Sequence, residues 1–268
     1  QKDILYITKE TKKIQNLYAN GNFEKVIQKT KNLLKKDPTQ TIFYNLIGLS
    51  YRQLNNAELA EKTFKSGLEI NPNSTSILVN LGALYRVQEK YDQAKKAVER
   101  ALEINENNFS ALINYANILR ELNQHLEAIQ YYKKALNIND KNETLLINLS
   151  SSYQIIGEFE KSKKILRNVH NKFPQNVLAD QMYSNINNYG EDDTHQKEMM
   201  EKLNSQNLQK NDQMILSFAL AKSYSDIKSP KMSSKYFTIA NDLKFNSIKN
   251  FNFEEQTKYL TSPKYDFK

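Results

Sequence analysis

Apolar residues recur at spacings of three and four along most of this 268-residue chain, and the stripe they form restarts every 34 residues. The stretches YNLIGLSYR (44–52), LVNLGALYR (78–86) and LINYANILR (112–120) show the period directly. Numbering a unit from residue 7 and restarting at 41, 75, 109 and 143 aligns five copies without a gap. Positions 4, 7, 8 and 11 of each unit are then apolar or small and share one arc of a 3.6-residue helix, which predicts a first helix burying a single stripe. A second periodic stretch follows in every unit, and the two helices are short enough to pack antiparallel.

The positions between and beside the stripes say how the helices meet. Gly21, Asn55, Glu89, Asn123 and Gly157 fall on position 15, and Gly or Asn there suits the left-handed residue that ends a helix in a tight turn. Small residues dominate position 8 (Gly48, Gly82, Ala116, Ser150), position 20 (Ala60, Ala94, Ala128, Ser162) and position 27 (Gly67, Ala101, Ala135). Bulky ones occupy position 24 (Phe64, Val98, Tyr132, Leu166), which predicts close helix approach with large side chains filling the adjoining space. Pro38, Pro72 and Pro174 at position 32 stop the second helix before the next unit.

This pattern resembles the tetratricopeptide repeat, whose consensus is matched best in the second unit by Tyr44, Ile47, Gly48, Tyr51, Ala60, Phe64, Gly67 and Pro72. The resemblance implies an all-α fold, a right-handed superhelical solenoid of antiparallel helix pairs. Residues 1–176 read as five regular units, with the first from about 7. Residues 177–213 read as a divergent sixth pair, with helices near 176–188 and 194–206 around the acidic turn YGEDD. Residues 214–247 read as a seventh unit and 248–268 as a capping helix, carrying Ile248, Phe251 and Tyr259, and a tail.

Composition narrows the chemistry. With 6 Gly, 5 Pro, no Cys and no Trp, the chain has neither the turn density of an all-β protein nor any disulfide or thiolate site. No run nears the roughly 20 apolar residues of a membrane span, so a cytoplasmic protein without membrane contact is expected. The chain starts at Gln1 rather than Met, as a processed product or an excised piece would. The net charge of +8 is uneven: residues 1–40 hold nine Lys and four acids, residues 177–210 three Lys and six acids. No basic stripe interleaved with aromatics accompanies it, so nucleic acid is not the expected partner.

Neither cofactor nor metal is implied. His125, His170 and His195 have no ligand or triad spacing, and His125 falls in a turn where solvation is expected. Glu254 with Glu255 and Asp192 with Asp193 read as solvated charge, and the chain as non-enzymatic. Sequons at Asn73, Asn108, Asn142 and Asn148 read as chance in an Asn-rich sequence.

Candidate binding residues lie opposite the buried stripe of the first helices. Asn80, Asn114 and Asn148 share position 6, Asn117 adds position 9, and Asn45 sits at position 5. An Asn amide both donates and accepts, so a ladder of them could bracket the backbone of an extended peptide, or could bond neighbouring helices instead. The ladder is similar to the asparagine ladder of the tetratricopeptide superhelix of O-linked N-acetylglucosamine transferase. Arg52, Arg86 and Arg120 recur at position 12, where Gln154 ends the series. They could reach an acidic peptide or pair with acids such as Glu58, Asp92 and Glu127.

A second resemblance covers residues 216–244. Phe218, Ala219, Leu220, Ala221, Lys222, Tyr224, Phe237, Ala240, Asn241, Leu243 and Lys244 resemble the last repeat before the catalytic domain of bacterial tetratricopeptide sulfotransferases. It implies that this chain could be the substrate-recruiting arm of such an enzyme. The first expectation is a peptide-binding scaffold for an acidic protein or peptide, its oligomeric state left open.

Overall fold

The computed structural model describes residues 2–205 and 208–249, and these residues form helices joined by short turns. Unit 1 ends at Ile156 and unit 2 begins at Gly157. Unit 1 holds α1 (Lys2–Ala19), α2 (Phe23–Leu34), α3 (Thr41–Gln53), α4 (Ala57–Ile70), α5 (Thr75–Val87), α6 (Tyr91–Ile104), α7 (Phe109–Glu121), α8 (His125–Ile138) and α9 (Glu143–Ile155). Unit 2 holds α10 (Phe159–Lys172), α11 (Val177–Ile186), α12 (Thr194–Asn204), α13 (Lys210–Asp226) and α14 (Pro230–Lys249). The fold class is all-α, built as a solenoid of helical hairpins.

In unit 1, α1, α3, α5 and α7 each pack antiparallel on the helix that follows and also on the next odd-numbered helix, so α3, α5, α7 and α9 stand side by side. Their inward stripe is dry: Ile47, Ile77, Leu81, Leu112, Ala116, Leu145 and Leu149 are all buried. Close approach within a hairpin depends on the small residue at position 8. A Cβ added to Gly48 would stand 2.4 Å from the ring of Phe64, and one added to Gly82 would stand 2.4 Å from Val98 Cγ2. Position 20 is fully buried in every copy, as Val26, Ala60, Ala94, Ala128 and Ser162.

The turns follow the local chemistry. Position 15 is left-handed throughout, with φ of 73° at Gly21, 56° at Asn55, 59° at Glu89, 60° at Asn123 and 79° at Gly157; Lys228 at 55° is its counterpart in the last hairpin. Much of the Asn content has a structural use. Asn71, Asn105 and Asn139 accept the N–H two residues on, closing the inter-unit turns. Asn56, Asn108 and Asn142 cap helices by accepting from Leu59, Ala111 and Leu145. Two of the sequon asparagines are thus helix caps.

In unit 2, α11 packs on α10 and α13, α12 on α13, and α13 on α14. Met199, Leu216, Ala219, Leu220 and Tyr236 form its core, and Tyr224 stacks on Tyr236 with rings 5.4 Å apart. In the stretch read as the sixth pair, α11 spans Val177–Ile186 and α12 spans Thr194–Asn204, with α12 leaning on α13. The expected capping helix begins inside α14, which runs unbroken to Lys249; Phe251, Tyr259, Glu254 and Glu255 lie outside the described residues.

Candidate polypeptide-binding face

The candidate site residues fall in unit 1, on the first helices α3, α5, α7 and α9, and all are half-buried. Most are joined to one another across successive repeats. Asn80 on α5 donates to Asn45 Oδ1 on α3 at 2.8 Å. Asn148 on α9 donates to Asn117 Oδ1 on α7 at 3.1 Å and accepts from Arg120 at 2.8 Å. Asn117 Oδ1 also accepts from the Tyr132 hydroxyl at 2.6 Å. The result is a row of polar struts between first helices, and its rigidity is that of groups held from both ends.

Two members keep capacity in hand. Asn114 donates to the Ser110 carbonyl of its own helix at 2.9 Å, and its Oδ1 accepts from no group among the described residues. Arg86 spends one terminal nitrogen on Glu121 Oε1 at 2.5 Å, while its Nε is buried without a partner among the described residues. An orphan buried donor of this kind costs free energy until something accepts from it.

The arginines do not take the acids that sequence spacing offered. Arg86 pairs with Glu121 of the next repeat rather than Asp92, and Arg120 with the neutral Asn148 rather than Glu127. Arg52 forms no ion pair among the described residues, with Glu58 or any other acid. At position 12, Arg86 and Arg120 thus reach the following first helix rather than the second helix of their own hairpin. Beside the polar row, Val87 and Ile155 at position 13 are 71 % and 59 % exposed.

His125 is a correction. It begins α8 and is buried, not solvated, and burial together with nearby Arg120 holds its imidazole below the usual range. A second correction concerns His170 and His195 in unit 2. They are far apart in sequence and without ligand spacing, yet both converge on buried Asp180, with one ligand atom from each of the three residues within 4.8 Å of the others. His170 Nδ1 lies 2.6 Å and His195 Nε2 3.3 Å from Asp180 Oδ1, and Lys202 holds Oδ2. These three contacts keep the Asp180 carboxyl far below its usual range despite burial. Of the paired acids, Asp193 caps α12 through the His195 N–H, and exposed Asp192 pairs with Lys197 at 2.9 Å.

Residues 216–244 serve the α13–α14 hairpin: Ala219, Leu220, Ala221 and Ala240 are buried in its interior.

Comparison with known proteins bears on the repeats. The sequence model of the tetratricopeptide repeat matches residues 42–74 and again 73–141. No curated protein matches the chain. Among solved structures, the fold is similar to the C-terminal part of a TPR repeat-containing protein from Cytophaga hutchinsonii, with TM-score 0.63 at 13% identity over 87% of this chain and 95% of that one. Pseudomonas aeruginosa pilF aligns with TM-score 0.60 at 12% identity, over 92% and 95% of the two chains. YrrB, a TPR protein with an unusual peptide-binding site, aligns with TM-score 0.53 at 16% identity, over 78% and 97%. Among the described residues no helix is long and apolar enough to cross a membrane. Residues 42–141 thus match tetratricopeptide repeats, and the 34-residue period, the left-handed turns at position 15 and the small-against-large packing at positions 8 and 24 are those of the helical hairpins to which the fold is similar.

Proposed function

We propose that unit 1 is a non-enzymatic scaffold that grips an extended polypeptide along α3, α5, α7 and α9. Asn45, Asn80, Asn114, Asn117 and Asn148 with Arg52, Arg86, Arg120 and Gln154 form its polar floor, and Val87 and Ile155 its apolar margin. The observation that carries this reading is the unspent hydrogen-bonding capacity in the middle of the row: the open Oδ1 of Asn114 and the terminal nitrogen of Arg86 that Glu121 leaves free. An acceptor and a donor one repeat apart are what a peptide backbone asks of its receptor. The paired residues hold the helices at fixed spacing, so the free ones meet the ligand already oriented.

A preference for acidic partners follows from charge. Arg86 is matched by Glu121, whereas Arg52 and Arg120 meet no acid among the described residues, so two guanidinium charges flank the centre of the row uncompensated. The alternative role, recruitment of an acidic polypeptide to a sulfotransferase, rests on the sequence likeness of residues 216–244 and uses the same face.

The test is a peptide array of matched acidic, neutral and basic extended sequences against the whole chain and two variants. Asn114→Ala is expected to weaken acidic and neutral peptides alike by about fivefold, the value of one hydrogen bond near 1 kcal/mol. Arg52→Gln is expected to weaken acidic peptides alone, with the loss shrinking in high salt. Unchanged binding by Asn114→Ala at unchanged stability would exclude the face as a backbone reader.

A further inference from the structure

We infer that His170, Asp180 and His195 form a binding site for one divalent transition-metal ion of the zinc type in unit 2. The ligands come from three helices: His170 from α10, Asp180 from α11 and His195 from α12. All three are buried or nearly so, at 11%, 0% and 1% side-chain exposure, in a region where isolated charge is costly.

The geometry is that of a ligand set with its outer partners in place. His170 turns Nδ1 to Asp180 and presents Nε2 to Glu198 Oε2 at 3.2 Å; His195 turns Nε2 to Asp180 and presents Nδ1 to the Tyr189 hydroxyl at 2.7 Å. Each imidazole thus has one nitrogen facing the centre and the other held by an outer oxygen, the arrangement that orients a metal-bound histidine. Glu198 is itself held by Arg167 at 2.9 Å. Lys202 occupies Oδ2 of Asp180, which leaves Oδ1 as the single ligating oxygen. Two imidazoles and one carboxylate are a set that tetrahedral zinc accepts, with water as fourth ligand.

His170 lies between two carboxylates, with Asp180 on Nδ1 and Glu198 on Nε2. An ion would be held by the inward nitrogens, His170 Nδ1 and His195 Nε2, while the outward nitrogens keep Glu198 and Tyr189 as partners. Ligands about 2.1 Å from a tetrahedral ion stand about 3.4 Å apart. The His170 to Asp180 edge, at 2.6 Å, therefore opens, and the His195 to Asp180 edge, at 3.3 Å, already fits. The ion would fasten α12, which otherwise leans on α13, to α10 and α11.

The chain makes a clean test possible, for it has no Cys and only three histidines, of which His125 lies in unit 1. The full chain, free of any tag and stripped with chelator, is titrated with Zn²⁺ by calorimetry and with Co²⁺ by visible absorption. Binding of one equivalent with a dissociation constant below about 10 µM is expected. His195→Gln and His170→Gln should each weaken it about a hundredfold, Glu198→Gln about tenfold, and His125→Gln not at all. His170→Gln keeps a donor toward Asp180, so it decides the matter even where His195→Gln does not fold. Absence of stoichiometric binding, or binding that survives His170→Gln, would overturn the site and leave the cluster as an ion-pair network only.

Discussion

Arg86 on α5 donates to Glu121 on α7 at 2.5 Å, tying two repeats together through side chains that are each one-quarter exposed. The pair joins residues 35 apart in sequence, one repeat and one residue. Since both groups keep contact with water, the link is of moderate strength. A double-mutant cycle with Arg86→Gln and Glu121→Gln, read by urea unfolding, should give a coupling of about 1 kcal/mol that falls in high salt. A coupling near zero would mean that the repeats are held by their apolar stripe alone.

Gly82 and Glu89 predict opposite signs within one hairpin. A methyl group at residue 82 would enter the space of Val98, with the Ala94 carbonyl 3.2 Å behind, so Gly82→Ala should destabilise by about 1–3 kcal/mol. Glu89 holds φ at 59°, where a side chain is strained, so Glu89→Gly should stabilise by about 0.5–1 kcal/mol despite the added freedom of the unfolded chain. Denaturant midpoints of the two variants check both, and the same comparison applies to Lys228.

Tyr132 gives a dependence on alkaline pH. Burial pushes its phenol up to about 12, and neutral Tyr132 donates to Asn117. In the unfolded chain it ionises near 10, so its contribution is fully present below pH 10 and is lost as pH rises through about 12, on the order of 2 kcal/mol. Burial and their carboxylate partners, Glu61 and Glu99, also raise Tyr85 and Tyr115, and they add to the same loss. Urea unfolding from pH 8 to 12 should show falling stability, and Tyr132→Phe should make the fall shallower.

Asn108 and Asn142 cap α7 and α9 by accepting from backbone N–H groups of the first turn. Replacing either by Ala should cost about 1 kcal/mol, and replacing it by Ser or Asp much less. Thermal unfolding of these variants would separate a capping role from a chance occurrence of Asn.

The hairpins were legible in the sequence because everything that makes them is local or periodic. A stripe at positions 4, 7, 8 and 11, a left-handed residue at 15 and a small residue facing a large one all act within 34 residues, and the same physics repeats at each restart. The partners of the long polar side chains were not legible, because reach across the stack depends on how repeats stand to one another. Arg86 found Glu121 and not Asp92, Asn148 found both Asn117 and Arg120, and His125 was drawn inside at the head of α8. The convergence of His170, Asp180 and His195 was least visible of all. It depends on α12 packing against α13 through side chains such as Met199, where the period has lapsed and only tertiary contact sets which residues meet.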